Sequence, residues 1–595
     1  MRCLGFDMDR TSLVNVALGK APADLVLMGG KLVNVETAEI ESRVDVAIKG
    51  DRVALVGNAK HCVGAGTRVF DVHGKYILPG LLDAHVHIES SMLTVTQFAR
   101  VVLPHGTTGV FIDPHEIANV LGMRGVKFML DEGDRLPLKV FVTLPSCVPS
   151  APDFETSGAE INPRDIVKGL RWRRVVALGE VMNYLGVLAG DKKMRGEIDA
   201  ALNAQKVVEG HAPGLLGKEL AAYMAAGVRS DHESFSPEEA VQKLRLGMAL
   251  EIREGSAAKN LAALVKPILK FELDTRHCLL ATDDRHPEDL MREGHIDHVV
   301  RRAIEEGVDP IEAIQMATLN TAEHFELDRD IGSISPGKIA DVVIVRNLEK
   351  FNVERVIANG KIVAERGKLK VTLPVRKSPS FAKKTMKLKR RVSAEDFEII
   401  AKKAGKVKVR VIGIVEGQIV TSQHIERLET RDGTVLPDAK RDIAKIAVVE
   451  RHHGTGNIGL GFVRGFRIRG GAIASSVGHD AHNITVIGVS DEDMATAVNT
   501  IASIGGGQVV VSRDKVLARV GLPIAGLMSD EPVEIVSAQL EKLHLAAKRL
   551  GIKIRSPFIQ MAFLPLAVIP ELRITDKGLV DVKREKIVPP LVYAA

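Results

Sequence analysis

Two histidines one residue apart open the case for chemistry in this sequence. They are His85 and His87, in Gly80-Leu81-Leu82-Asp83-Ala84-His85-Val86-His87-Ile88-Glu89. An apolar run, Tyr76-Ile77-Leu78-Pro79, leads into them and reads as the start of a buried strand. Side chains alternate across a strand, so both imidazoles point the same way. Together they can bind one divalent metal through neutral ring nitrogens. Taken alone, the pair reads more readily as two hydrogen-bonded interior histidines. Other apolar runs end in ligand types too: Asp113-Pro114-His115-Glu116, Gly179-Glu180, Gly210-His211, Asp231-His232-Glu233 and Thr282-Asp283-Asp284. The set His85, His87, Glu180, His211, His232 and Asp283 suits a two-metal site for Zn, Mn or Fe(II). A carboxylate such as Glu180 can bridge two ions ~3.5–4 Å apart. Read singly, Glu180 is as well explained as a salt-bridged residue. The coincidence of all six carries the metal reading.

Such a set needs a scaffold that brings distant strand ends together. Strand-like runs lie at 77–87, 108–113, 139–144, 175–180, 206–211, 228–232, 248–252 and 278–283, mostly joined by helix-length segments. Eight such units in roughly 250 residues predict a (β/α)8 barrel, whose functional groups sit at the C-terminal ends of strands. A doubly wound sheet would instead gather ligands at one switch point. Short β texture on both flanks, 21–79 and 330–372, predicts a small composite antiparallel β domain with the barrel, 80–329, inserted in it. Residues 1–20 read as a loose N-terminal arm, and Asp309-Pro310 caps a helix running to His324. Residues 373–395 carry Lys377, Lys383, Lys384, Lys387, Lys389, Arg390 and Arg391. They read as a solvated basic linker, since no aromatics interleave to stack on nucleic-acid bases. Residues 396–595 form a C-terminal α/β domain, with capping signals at Ser490/Asp493 and Ser529/Pro532.

The composition, 45% hydrophobic and 26% charged over 595 residues, is that of an ordinary globular protein. No run approaches the ~18–20 apolar residues of a membrane span. Met1 to Asp9 shows no basic region followed by an apolar core, so no secretory leader is expected. Cys3, Cys62, Cys147 and Cys278 have no CxxC spacing, which fits a reducing cytosol. The net charge of +6 gives no reason to invoke nucleic acid. A cytoplasmic protein with a small-molecule substrate and no membrane partner is expected, with a homodimer or higher homo-oligomer as the default assembly.

The motifs resemble the amidohydrolase superfamily: His85-x-His87 on strand 1, His211 and His232 on strands 5 and 6, Asp283 on strand 8, and Gly332-Ser333-Ile334-Ser335-Pro336-Gly337 at the return to the β domain. Asp83 to Met92, Asp113 to Val120, Ser230-Asp231-His232-Glu233 and the extra C-terminal domain resemble its adenine deaminase family, over nearly the whole chain. The resemblance implies hydrolysis of adenine to hypoxanthine and ammonia, with metal lowering the pKa of water from about 15.7 to about 7. Asp283 would move the water's proton to the departing amino group, and a second acid would protonate the ring.

Two departures bear on that acid. Where many binuclear members have a carboxylated lysine on strand 4, this chain has Glu180. Where other deaminases carry a glutamate three residues after the strand 5 histidine, this chain reads His211-Ala212-Pro213-Gly214. Glu233 is the first candidate for the missing acid, with Glu89 and Glu116 as others. His115 and Glu116 are expected to orient the ring or support the ligands. Action on another aminopurine or a cyclic amide is the alternative, although cyclic-amide hydrolases normally show the strand 4 lysine. A non-catalytic scaffold would be expected to lack ligands, and none is missing.

Two decoys remain. The other zinc deaminase design, H-x-E with P-C-x-x-C, is absent. Gly454-Thr455-Gly456-Asn457-Ile458-Gly459 matches G-x-G-x-x-G but lacks a following helical pattern. His452, His453, His479, Asp480 and His482 read as loop residues at a domain or subunit contact in preference to a metal cluster.

Overall fold

The computed structural model describes residues 10–256, 258–374, 377–402, 405–416 and 418–592. Cys3 and residues 1–9 of the N-terminal arm lie outside the described residues. The rest of the arm is better defined than its sequence suggested. Arg10–Ala17 is a helix whose Leu13 and Val16, three apart on one face, are buried against the outer sheet.

That outer sheet is assembled from both flanks of the barrel. Its nine strands include Leu25–Asn34, Glu39–Lys49 and Tyr76–Pro79 from one flank, and Val342–Val345 and Val353–Ala358 from the other. The seam is antiparallel, with Ile77 opposite Ile344. The sheet is mixed rather than antiparallel throughout: Arg68–Asp71 and Tyr76–Pro79 both run parallel to Leu25–Asn34. The run expected as one strand, 77–87, is two. Tyr76–Pro79 ends the outer sheet and Leu81–His87 begins the barrel, with Gly80 between. A Cβ at Gly80 would lie 2.1 Å from Thr108 Oγ1, so only glycine lets the chain cross between the layers there.

The barrel strands are β1 Leu81–His87, β2 Thr107–Ile112, β3 Lys139–Leu144, β4 Val175–Val181, β5 Val207–Gly210, β6 Ser230–Asp231, β7 Ala249–Arg253 and β8 Cys278–Ala281. Parallel ladders join β5-β4-β3-β2-β1 and β6-β7-β8. Asp283–Asp284, just beyond β8, pairs with Val86 and His87 and closes the circle. Between β5 and β6 the ladder thins to Arg229 N–H on Val208 O and Gly210 N–H on Ser230 Oγ. This bears out the (β/α)8 fold with helices outside and apolar side chains inside. Phe111 is fully buried between Phe325 and Phe141, with ring centroids 3.9 and 4.9 Å away. The helix expected from Asp309 to His324 breaks into Pro310–Met316 and Leu319–His324.

The C-terminal domain is β-rich. A nine-stranded sheet carries the helices Asp491–Ile504 and Val533–Arg549, and a three-stranded sheet follows. The glycine motif at 454–459 leads into strand Ile458–Arg464 rather than a helix. A Cβ on Gly459 would meet Thr575 O at 1.9 Å, so packing rather than a phosphate accounts for that glycine. The basic segment is not simply solvated: Ala382, Thr385 and Val392 are buried, and Lys387 N–H bonds Arg451 O. The domain lies over the C-terminal ends of the barrel strands, held by Ser529 N–H on Met92 O and Asn483 Nδ2 on Thr156 O. No helix of the described residues is long and apolar enough to cross a membrane. Replacing Phe111 by alanine is expected to cost about 3–5 kcal/mol of folding free energy, measured by denaturant unfolding.

Candidate metal centre

The two histidines that opened the sequence reading owe their direction to a bulge. Between Asp83 and Val86 of β1 three residue steps oppose two on β2, where Val110 and Ile112 are the partners. Before it, Leu82 and Ala84 pack in the barrel interior. After it, the inward phase switches, and His85 and His87 face the barrel mouth with their Nε2 atoms 3.1 Å apart. Bulges re-aim side chains in this way beside active sites.

Opposite them stands Glu180, at the end of β4 and buried. Its Oε1 lies 3.3 Å from His85 Nε2 and 3.1 Å from His87 Nε2. Its Oε2 lies 2.8 Å from His211 Nδ1 and 3.5 Å from His232 Nε2. Asp283 completes the first group, with Oδ1 3.2 Å from His87 Nε2. One carboxylate thus faces two separate pairs of imidazoles, and each triad has its ligand atoms within 4.8 Å of one another. Glu180 Oε1 is buried with no hydrogen-bond donor among the described residues. An orphaned carboxylate oxygen amid converging imidazole nitrogens fits divalent cations.

The neighbours of these ligands fix their aim. His87 Nδ1–H donates to Asp113 O at 2.9 Å, which leaves Nε2 as the free nitrogen. Asp113 Oδ2 accepts Glu180 N–H at 2.9 Å. It comes so near the backbone that a Cβ on Gly179 would lie 2.1 Å from it. Tyr223 Oη accepts His211 N–H and donates to Val181 O, tying the ends of β5 and β4 together. Asp283 sits at φ 56°, a left-handed backbone rare for a non-glycine residue, which turns its carboxylate back toward His87.

The remaining predicted site residues separate into different roles. Glu233 does not face the cluster as a free acid. Arg253, at the end of β7, grips both its oxygens at 2.6 Å and also holds Asp283 Oδ2 at 2.5 Å. Burial alone would raise the Glu233 pKa, but Arg253, with His211 and His232, outweighs it and keeps the carboxyl ionised. Glu233, the first candidate for the ring acid, thus has both carboxylate oxygens engaged by Arg253. Glu89 is the opposite case. Burial, with nearby Glu116 adding to it, raises its pKa to about 7 despite opposing backbone hydrogen bonds, and its Oε2 has no partner among the described residues. His115 lies beside the cluster, Nδ1 3.6 Å from Glu180 Oε1. Glu116 turns away from it, toward His479 Nδ1 at 2.6 Å and His482 Nε2 of the C-terminal domain. Those histidines therefore sit at a domain contact, as do His453 on Ser157 O and Asn483 on Thr156 O.

Between the barrel, at Ser256, His286 and Glu288, and the C-terminal domain, at Gln508, His544 and Phe563, lies a cavity of about 570 Å³. It adjoins a neck lined by Glu89, Asp284 and His479.

Residues 76–363 match the model of the amidohydrolase family, and residues 418–586 match that of the adenine deaminase C-terminal domain. The chain is 50% identical over 579 residues to the adenine deaminase of Moorella thermoacetica, covering 97% of each chain. It is 49% identical over 576 residues to that of Mesorhizobium japonicum, covering 96% of this chain and 95% of the relative. Against that of Clostridium botulinum it is 46% identical over 578 residues, covering 97% and 96%. The chain belongs to the adenine deaminase family.

Within this adenine deaminase family member, Arg253 and Tyr223 are positioning residues that the motifs do not single out, and Asp113, at the end of its apolar run, positions Glu180 and His87. Arg253 has a sequence signal, a charged residue ending a barrel strand, although it is not a metal-ligand type. Tyr223 carried no signal, since it lies on a helix, Gly217–Ala225.

The imidazoles are not all neutral before a cation arrives. For His85, burial and then His232 lower the pKa. For His232, burial opposes the charge but Glu180 prevails and raises the pKa to about 9. Below that pH a cation must displace a proton from His232. Metal uptake by stripped protein is therefore expected to release protons, and affinity to rise from pH 6 toward pH 9. Calorimetric titration in buffers of different ionisation enthalpy checks both.

Proposed function

We propose that this protein hydrolyses adenine to hypoxanthine and ammonia at two divalent cations, Mn, Fe(II) or Zn. His85, His87, Glu180, His211, His232 and Asp283 would hold them, with Glu180 shared. The observation that carries the reading is the division of Glu180, one oxygen toward His85 and His87 and the other toward His211 and His232. Bound at these ligands, the cations supply the Lewis acidity that makes water a nucleophile at neutral pH.

The chain's own groups then manage the protons. Asp283 is held ionised: burial opposes its charge, but Arg253, His87 and His85 keep its pKa well below the usual carboxylate range. It takes one proton from the attacking water as the C6–O bond forms, and passes it to the amino nitrogen as the C6–N bond breaks. Glu89 faces the neck and begins protonated below about pH 7, so it places a proton on N1, which hypoxanthine keeps. The water's second proton recharges Glu89, so atoms and charge balance. Arg253 keeps Glu233 anionic and orients Asp283; His115 supports the ligand cluster and Glu116 anchors the C-terminal domain.

The same reading puts the protein in the cytoplasm, in keeping with the free buried thiols of Cys62, Cys147 and Cys278. Its assembly is a homodimer or higher homo-oligomer. We take the domain limits as 21–79 with 330–372, 80–329 and 396–595; the pairing of Tyr76–Pro79 with Val342–Val345 supports joining the two flanks in one domain.

Mn(II)-loaded protein is expected to release ammonia and hypoxanthine from adenine. Glu89→Gln should lower kcat by ~10²–10⁴ with metal content retained. Glu233→Gln should lower it far less. The reverse order would return the acid's role to Glu233.

A further inference from the structure

Gln508 is a buried polar side chain near the head of the strand Gly507–Ser512, followed by three valines. It is 2% exposed, and its Oε1 has no hydrogen-bond partner among the described residues. It lines both the large cavity and the neck over Glu89 and Asp284. A buried amide oxygen without a partner, on a side chain that borders a cavity, points to a ligand that completes it.

Its backbone is built to hold it still. Gly505, Gly506 and Gly507 have φ of 80°, 118° and 143°, so the chain turns sharply out of helix Asp491–Ile504 into the strand. A Cβ on Gly506 would lie 2.4 Å from Gly526 Cα, and one on Gly507 would lie 2.0 Å from Val520 O. Gly507 N–H donates to Ser476 Oγ at 2.7 Å, and Gln508 is paired on both sides, with Ser475 and Val520. The neighbouring wall is flat: the His479 ring stacks on Phe563 with centroids 4.6 Å apart, and Glu116 holds the ring edge at Nδ1. An aromatic base meets such a wall with its face and leaves its edges to polar groups.

We propose that Gln508 reads the N3/N9 edge of the purine, so that the C-terminal domain determines selection of the free base. This rests on the deaminase reading above. With C6 and N1 directed at Asp283 and Glu89, the N3/N9 edge lies across the ring system, facing the other side of the cavity. That edge offers an acceptor at N3 and a donor at N9–H. A carboxamide complements both, its oxygen accepting from N9–H and its NH₂ donating to N3. A substituent on N9, as in a nucleoside, removes the donor and obstructs the approach.

The test compares metal-loaded wild type, Gln508→Leu and Gln508→Glu on adenine and 9-methyladenine, with metal content and Tm measured alongside. Gln508→Leu is expected to raise KM for adenine ~10–100-fold with kcat changed far less, as loss of uniform binding requires. The preference for adenine over 9-methyladenine in kcat/KM should fall at least about tenfold. Gln508→Glu keeps the shape and the acceptor for N9–H but loses the donor to N3, so its KM should lie between the two. An unchanged KM and preference in both variants would overturn the proposal. So would a fall in Tm or metal content with the preference intact, since that describes a structural glutamine. Ammonia release from adenine by the wild type belongs to the deaminase reading, and its absence would overturn both.

Discussion

Glu180 is the constraint on which the rest of the centre depends. A buried carboxylate must meet positive charge or donors on every side, and this one is placed where four imidazoles reach its two oxygens. Burial opposes its charge, yet His232, His211 and His85 hold its pKa well below the usual carboxylate range. Each supporting feature secures that arrangement. Asp113 fixes the Glu180 backbone and the His87 tautomer, and Gly179 makes room for Asp113. Tyr223 joins the two strand ends, and the β1 bulge turns two histidines inward. Removing any one of them leaves charged groups in place with poorer partners.

The second organising interaction is electrostatic triage among the surrounding acids. Four carboxylates in or beside the cluster have roles decided by their partners. Arg253 keeps Asp283 and Glu233 anionic, while His479 and His482 do the same for Glu116 against its burial. Glu89 has only backbone donors, so it alone of these keeps a raised pKa. Groups of one type pushed apart by environment are how one site runs acid and base chemistry together. The C-terminal domain takes part directly, since the two histidines on Glu116 belong to it and its residues roof the cavity.

The barrel and the six ligand candidates were legible in the sequence for one reason. Barrel strands put function at their C-terminal ends, and those ends fall at apolar-to-polar transitions that a linear reading detects. What was not legible depends on contacts distant along the chain or on fine backbone geometry. Glu233 looked free because the residue that neutralises it, Arg253, lies twenty positions on. The split of 77–87 at Gly80 and the bulge at Ala84 and His85 leave no mark in hydropathy. Gln508 is visible as a polar residue followed by three valines, but its meaning appears only where that strand meets the barrel mouth.

The most direct test of the account is electron paramagnetic resonance of protein titrated with Mn(II), read together with bound metal per chain. A carboxylate shared between two ions ~3.5–4 Å apart requires saturation at two ions. It also requires an exchange-coupled spectrum that is lost in Glu180→Gln. Saturation at one ion per chain, or two ions giving the six-line spectrum of isolated Mn(II), would contradict it.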